Sequence, residues 1–200
     1  MTRYARSKIL YDGCYAHVSS RSIDTRWIFQ EEKDFDYFRQ LLMAHKAQSG
    51  FRIHHYCLMN THFHLAVSSP HLASFSEALK RIKWSYTMTY NRRHKRRGPL
   101  WQERFKSLVI EDESYLYACG LYIENNPVKA GMVKQAADWT HSSARYYENK
   151  AKDTVVDGYD PPPVPSEAFS EGFLTEGKGI GSELFRIHLN EELASPLPVP

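Results

Sequence analysis

Two runs rich in strand-forming residues, Phe51–Met59 and His62–Ser68, are separated only by Asn60–Thr61. A two-residue link suits a hairpin turn and is far too short for a crossover, so the two strands must run antiparallel. The rest of the chain then has to pack around an antiparallel sheet. Within the second run, His62-Phe63-His64-Leu65 alternates polar ring with apolar side chain. Successive strand residues point to opposite faces, so His62 and His64 share one face. Phe63 and Leu65 take the other, the one expected to meet the core.

The remaining elements follow from periodicity. Lys8–Arg21, with Tyr15, His17 and Val18, reads as a first strand, and Phe105–Ile110 as a last one. Lys33–Ser49 carries Phe35, Phe38, Leu41 and Leu42 at helical spacing, and Gly50 is placed to stop it. Ser74–Asn91 sets Phe75, Leu79, Ile82 and Tyr86 on one stripe, and Trp84 is expected in the core with Tyr86. Glu113–Asn126 reads as a third helix ended by Pro127, because the residue before a proline avoids helical backbone. Trp139–Tyr147 reads as a short final helix. The order predicts one α+β domain over residues 1–150, an antiparallel sheet with helices packed on one side of it. Seven of the ten prolines lie after Lys150, which predicts an irregular C-terminal tail over 151–200 with one ordered patch near Glu183–Leu193.

Composition excludes some classes. No apolar run approaches the roughly 18 residues of a membrane span, so no membrane partner is expected. The basic N-terminus lacks the apolar stretch of a secretory signal. Cys14, Cys57 and Cys119 are odd in number and far apart, which argues against a disulfide framework or a cysteine zinc site and makes the cytoplasm the default location. Charge is unevenly spread. Lys80–Lys106 holds ten Lys/Arg and one acid, whereas the last fifty residues hold nine acids and three bases. The first stretch is suited to a polyanion. It interleaves Trp84, Tyr86, Tyr90, Trp101 and Phe105 with its cations, and rings that stack on bases beside cations that track phosphates are the two ingredients of single-strand binding. Arg92, Arg93, Lys95, Arg96 and Arg97 crowd five charges into six residues, a repulsive cluster unless an anion is near.

Two imidazoles on one strand face form half a site for a divalent metal. A bare His-x-His pair is more often two ordinary buried histidines than a metal site, and the doublet His54–His55, read as pointing to opposite faces, illustrates how little a histidine pair means alone. The pair becomes a site only with a third ligand and a reacting group. The third helix offers both. Tyr122 and Asn126 stand one turn apart, so Asn126 could lend a carbonyl oxygen to the metal and Tyr122 could reach a phosphate held there. Ionising tyrosine at pH 7 costs roughly 4 kcal/mol, which a divalent cation and nearby Lys/Arg can offset. Tyr122 also suits a plain core position, since Tyr115 lies two turns earlier on nearly the same face.

The runs HHYCLMNTHFHLAV, RRGPLWQERFKSLVIEDESYLYACGLYIENNPVKAGMV and GCYAHVSSR together resemble the REP-associated tyrosine transposases, single-tyrosine relatives of the insertion-sequence HUH transposases. The resemblance spans about residues 13 to 147. It implies an HUH endonuclease fold, ferredoxin- or RRM-like. It also implies metal-dependent nicking and joining of single-stranded DNA, with Mg2+ or Mn2+, at palindromes folded into hairpins beside a guide tetranucleotide, through a DNA–tyrosine adduct. By motif match Tyr122 is the nucleophile, His62 and His64 are the paired ligands, and Asn126 falls where relatives place a polar third ligand. His17 and Arg21 fall in a first-strand motif expected near the substrate. The basic loop Arg92–Arg97, with Arg104 and Lys106, is expected to clamp a hairpin stem or its flank. Relatives act as monomers or homodimers, so the tyrosine could serve its own histidines or a partner's. Two departures stand out: Thr61 separates Asn60 from the first histidine, and His141–Ser142–Ser143 replaces a Trp-Ser-Ser. A non-cleaving, domesticated binder of structured nucleic acid, a relaxase or replication initiator, and a histidine-based RNA phosphodiesterase are the competing readings.

Overall fold

The computed structural model describes residues 12–110 and 113–160. Four strands, β1 (Tyr15–Arg21), β2 (Arg52–Met59), β3 (His62–Ser68) and β4 (Lys106–Ile110), form one antiparallel sheet in the order β2-β3-β1-β4. The expected β2–β3 hairpin is present. β1 lies next to β3, although a helix and a strand separate the two in sequence.

Alternation along the strands gives the sheet two unlike faces. Phe63, Leu65 and Val67 of β3, with Ala16 and Val18 of β1 and Ile53, Tyr56 and Leu58 of β2, pack under α1 (Glu32–Ser49) and α2 (Leu72–Arg93). Phe35, Phe38 and Leu42 of α1 meet Phe75, Leu79, Ile82 and Tyr86 of α2 over this face. Gly50 ends α1 in the left-handed region, with φ 70°, where glycine avoids the Cβ penalty. The opposite face carries Cys57, Met59, Ala66 and Ile110, covered by Leu116, Cys119 and Ile123 of α3 (Glu113–Glu124). Helices therefore pack on both sides of the sheet rather than one. Apolar patterning marks a helix as amphipathic without saying which face of a sheet it covers.

Other expectations change in detail. α3 stops at Glu124, and Pro127 sits in the first turn of a separate short helix, α4 (Asn126–Lys129). Proline is well placed there, since a first-turn residue needs no N–H. The final helix, α5, runs Ala144–Asn149, later than expected. The tail boundary at 150 is too early. Residues 151–160 lie along β2, with Val155 and Val156 in the core, Asp157 bonded to both the N–H and the C=O of Ile53, and Lys46 paired with Asp157 at 3.0 Å. The patch Glu183–Leu193 lies outside the described residues. Among the described residues, no helix is long and apolar enough to cross a membrane.

Candidate active site

The face under α3 gathers the chemistry. His17, Ser19 and Arg21 of β1 and His62 and His64 of β3 share it, with Ser19 paired to His64 and Arg21 to His62 across the strands. The His62 and His64 rings are 5.0 Å apart, edge to face. His17 stacks on His64 at 5.2 Å, and its Nε2 lies 2.9 Å from His64 Nδ1. His17 is only 1% exposed. It braces His64 from within the same face, at the first-strand position that the motif resemblance expects near the substrate.

Tyr122 leans over this cluster from α3 of the same chain. Its ring is half-buried and 6.2 Å from both His17 and His64, edge to face with each. Lys129 Nζ lies 4.4 Å from the Tyr122 ring centroid. The sequence did not single out Lys129. Its position seven residues after Tyr122, two turns on if the helical path is roughly kept, was the available signal. Asn126 sits directly below, and its amide nitrogen donates to the Tyr122 and Ile123 carbonyls at 3.0 and 3.1 Å. That nitrogen is spent on the helix end, so only Oδ1 could reach a cation.

Burial and Arg21 hold His62 down at about 4, and burial with the charges around it holds His64 well below the usual histidine range. Both are neutral at pH 7, the form that can ligate. Each has its Nδ1 engaged, His64 by His17 and His62 by Thr61 Oγ1 at 2.9 Å. If Nδ1 donates in each case, Nε2 of each ring carries the lone pair with which a metal could be ligated. Thr61, a departure from the related motif, thus supplies a partner for His62. Among the described residues no three His, Cys, Asp or Glu side chains form a metal cage. The donors that this face could offer a divalent cation are the two imidazoles and the Asn126 side-chain carbonyl.

The cations divide. Arg21 is half-buried at the site end of β1, while Arg104 and Lys106 are exposed, Lys106 on the site face opposite Ser19. Residues 101–102 bond back to Ser22 and Arg21, so the loop that follows α2 lies at the His62 end of the sheet. Arg92, in the last turn of α2, and Lys95 and Arg97, in the loop itself, are exposed. Arg93 is instead paired with buried Asp34 at 2.8 Å and with Glu31 at 3.1 Å. Arg96 braces the loop through Asn91 and the Gly98 and Pro99 carbonyls. Two of the five crowded cations are thus neutralised or held internally. Trp84 is 65% exposed and lies beside exposed Met88 on the outer stripe of α2, not in the core. His54 and His55 do not oppose each other either. A register shift between Ile53 and His55 turns both toward Tyr159, at 5.5 and 5.6 Å.

An antiparallel sheet bearing a histidine cluster, with a tyrosine helix laid across it, defines the class. The family profile described as "Transposase IS200 like" matches residues 11–126, and the chain belongs to that family. A Haemophilus influenzae protein assigned by name to the REP-associated tyrosine transposases is 28% identical over 121 residues, covering 54% of this chain and 69% of that protein. The solved structure of a REP-associated tyrosine transposase bound to a REP hairpin superposes with a TM-score of 0.64 at 23% identity, covering 82% of this chain and 95% of that one. The family is one of DNA-cleaving and joining enzymes, and the resemblance to its REP-associated branch holds in sequence and fold.

Proposed function

We propose that this chain nicks and rejoins single-stranded DNA at hairpin-forming repeats, with Tyr122 as nucleophile and His62, His64 and Asn126 as ligands of Mg2+ or Mn2+. The observation that carries this is the placement of Tyr122 within one chain, 6.2 Å from both His17 and His64 and under the Lys129 ammonium. Lys129, whose Nζ lies 4.4 Å from the centre of the Tyr122 ring, would supply positive charge beside a phenolate formed there. The phenolate oxygen forms a bond to phosphorus as one bridging P–O ester bond breaks. The proton lost from the phenol is balanced by one gained at the leaving hydroxyl. The ester bond is conserved in the Tyr122 adduct, so a second DNA hydroxyl can reverse the step and join strands. A bound divalent cation would polarise the scissile phosphate and offset charge on the leaving oxygen. Arg21 and Lys106, on the same sheet face, and the exposed Arg92, Lys95, Arg97 and Arg104 supply cations along which phosphates can run.

The test is covalent adduct formation between the protein and labelled hairpin oligonucleotides with Mg2+ or Mn2+. The wild type should give a band shifted by the mass of the DNA, and Tyr122→Phe none. Retention of the adduct by Tyr122→Phe would remove the assignment. Tight hairpin binding by the wild type with no adduct on any substrate would favour the non-cleaving reading.

A further inference from the structure

A second polar cluster lies beneath the tyrosine helix, buried and separate from the residues assigned above. Glu124, the last residue of α3, is 2% exposed. Its Oε1 accepts from Ser143 Oγ at 2.6 Å and from His55 Nδ1 at 2.8 Å. The other His55 nitrogen, Nε2, meets the Tyr159 hydroxyl at 2.9 Å. Burial pushes the Tyr159 phenol up, so it keeps its proton and donates. The His55 ring stacks on Tyr147 at 4.5 Å. On its α3 side it meets Gly120, where any Cβ would collide with the ring. Gly120 and Glu124 are one turn apart on α3 and bracket Tyr122.

We infer that Gly120, Glu124 and His55, braced by Ser143 and Tyr159, form a clamp that positions Tyr122 over the histidine cluster, an inference that rests on the reading of Tyr122 as nucleophile. The clamp fixes two things at once. Gly120 sets how closely α3 approaches β2, because contact with a ring is possible only without a side chain. Glu124 sets the axial position and rotation of the helix end, because a buried carboxylate must keep its donors. Both settings pass to Tyr122 through a single helical turn. None of these side chains is assigned a contact with DNA or metal, so they are positioning residues. The clamp also gives the tripeptide His141–Ser142–Ser143 a job. Ser143 Oγ accepts from the Tyr56 N–H as well as donating to Glu124, which ties β2, α3 and the start of α5 together. Residues 151–160 complete it by delivering Tyr159.

The test uses full-length Gly120→Ala, Glu124→Ala and Glu124→Gln, with thermal melting to confirm folding. Single-turnover adduct formation and hairpin affinity are measured separately on a panel of hairpin oligonucleotides. A misplacement of about 1 Å costs on the order of a hundredfold in rate, and that loss is expected for both alanine variants with hairpin affinity unchanged. Glu124→Gln should recover most of the rate, since an amide oxygen still accepts from Ser143 and His55. Folded alanine variants that form adduct at the wild-type rate, or whose rate and affinity fall together, would overturn the clamp. Amide hydrogen exchange of Glu113–Glu124 gives an independent readout. It should speed up in Glu124→Ala while β3 stays protected, and unchanged exchange would count against the clamp. If the wild type itself forms no adduct, the proposed function fails and the clamp stands or falls on exchange alone.

Discussion

The two faces of β3 are built from alternate residues of one strand and obey opposite rules. On one face Phe63, Leu65 and Val67 are closed off by two long helices and a dense aromatic set. On the other, His62 and His64 are nearly as buried, yet their neighbours are imidazoles, a phenol and an arginine. Burial alone therefore does not separate core from site. What separates them is whether the buried atoms need partners. The apolar face supplies stability without direction, whereas the polar face fixes directions by engaging Nδ1 of His62 with Thr61 and Nδ1 of His64 with His17.

Exchanging the two roles should produce the largest effects. Phe63→Ala deletes a ring that touches Phe38 and Trp101, and a cost of about 3–5 kcal/mol is expected, read by chemical denaturation. His64→Ala, one residue on, should abolish the DNA adduct while shifting the denaturation midpoint far less. A His64→Ala variant as unstable as Phe63→Ala would erase the distinction between the faces.

Acid should find the polar side first. His54, near Ser68 and Asp157, is held neutral by burial, its pKa lowered from 6.5 to about 4. The unfolded chain takes up this proton at the higher pH, so the stability gained is complete above about 6.5. It is lost as pH falls toward 4, by up to about 3 kcal/mol. His54→Gln, which keeps polar atoms without titrating there, should flatten melting temperature against pH between those limits. An unchanged slope would show that His54 does not carry the effect.

Much of this was legible in the residues, for identifiable reasons. The hairpin and the shared face of His62 and His64 follow from a two-residue link and a period of two, both local. Tyr122 came from its spacing to Asn126 and from motif resemblance. The place of His17 was not legible, because it depends on β1 pairing with β3, a choice that local pattern does not contain. The register shift that brings His54 and His55 to one side has no glycine to announce it. Trp84 was avoidable, since a residue two positions from core-facing Tyr86 is turned about 200° around the helix. The prolines after Lys150 hid the anchoring pair Val155–Val156, because composition averages over the few residues that pack.

The smallest effects should come from the basic loop, where neighbours of like charge have unlike jobs. Arg93→Ala strips the main cation from Asp34, a carboxylate 1% exposed that keeps its backbone donors from Gln30 and Glu31. A loss of about 1–3 kcal/mol of stability is expected, with little change in salt dependence. Arg97→Ala, four residues on and exposed, should leave the melting temperature alone. It should weaken hairpin binding and lower the slope of log affinity against log salt by about one unit, as the loss of one phosphate contact requires. Equal effects from the two substitutions, on either stability or salt slope, would mean that the charges act as a diffuse cloud. Divergent effects would show that the loop spends one arginine on its own fold so that the other is held out toward DNA.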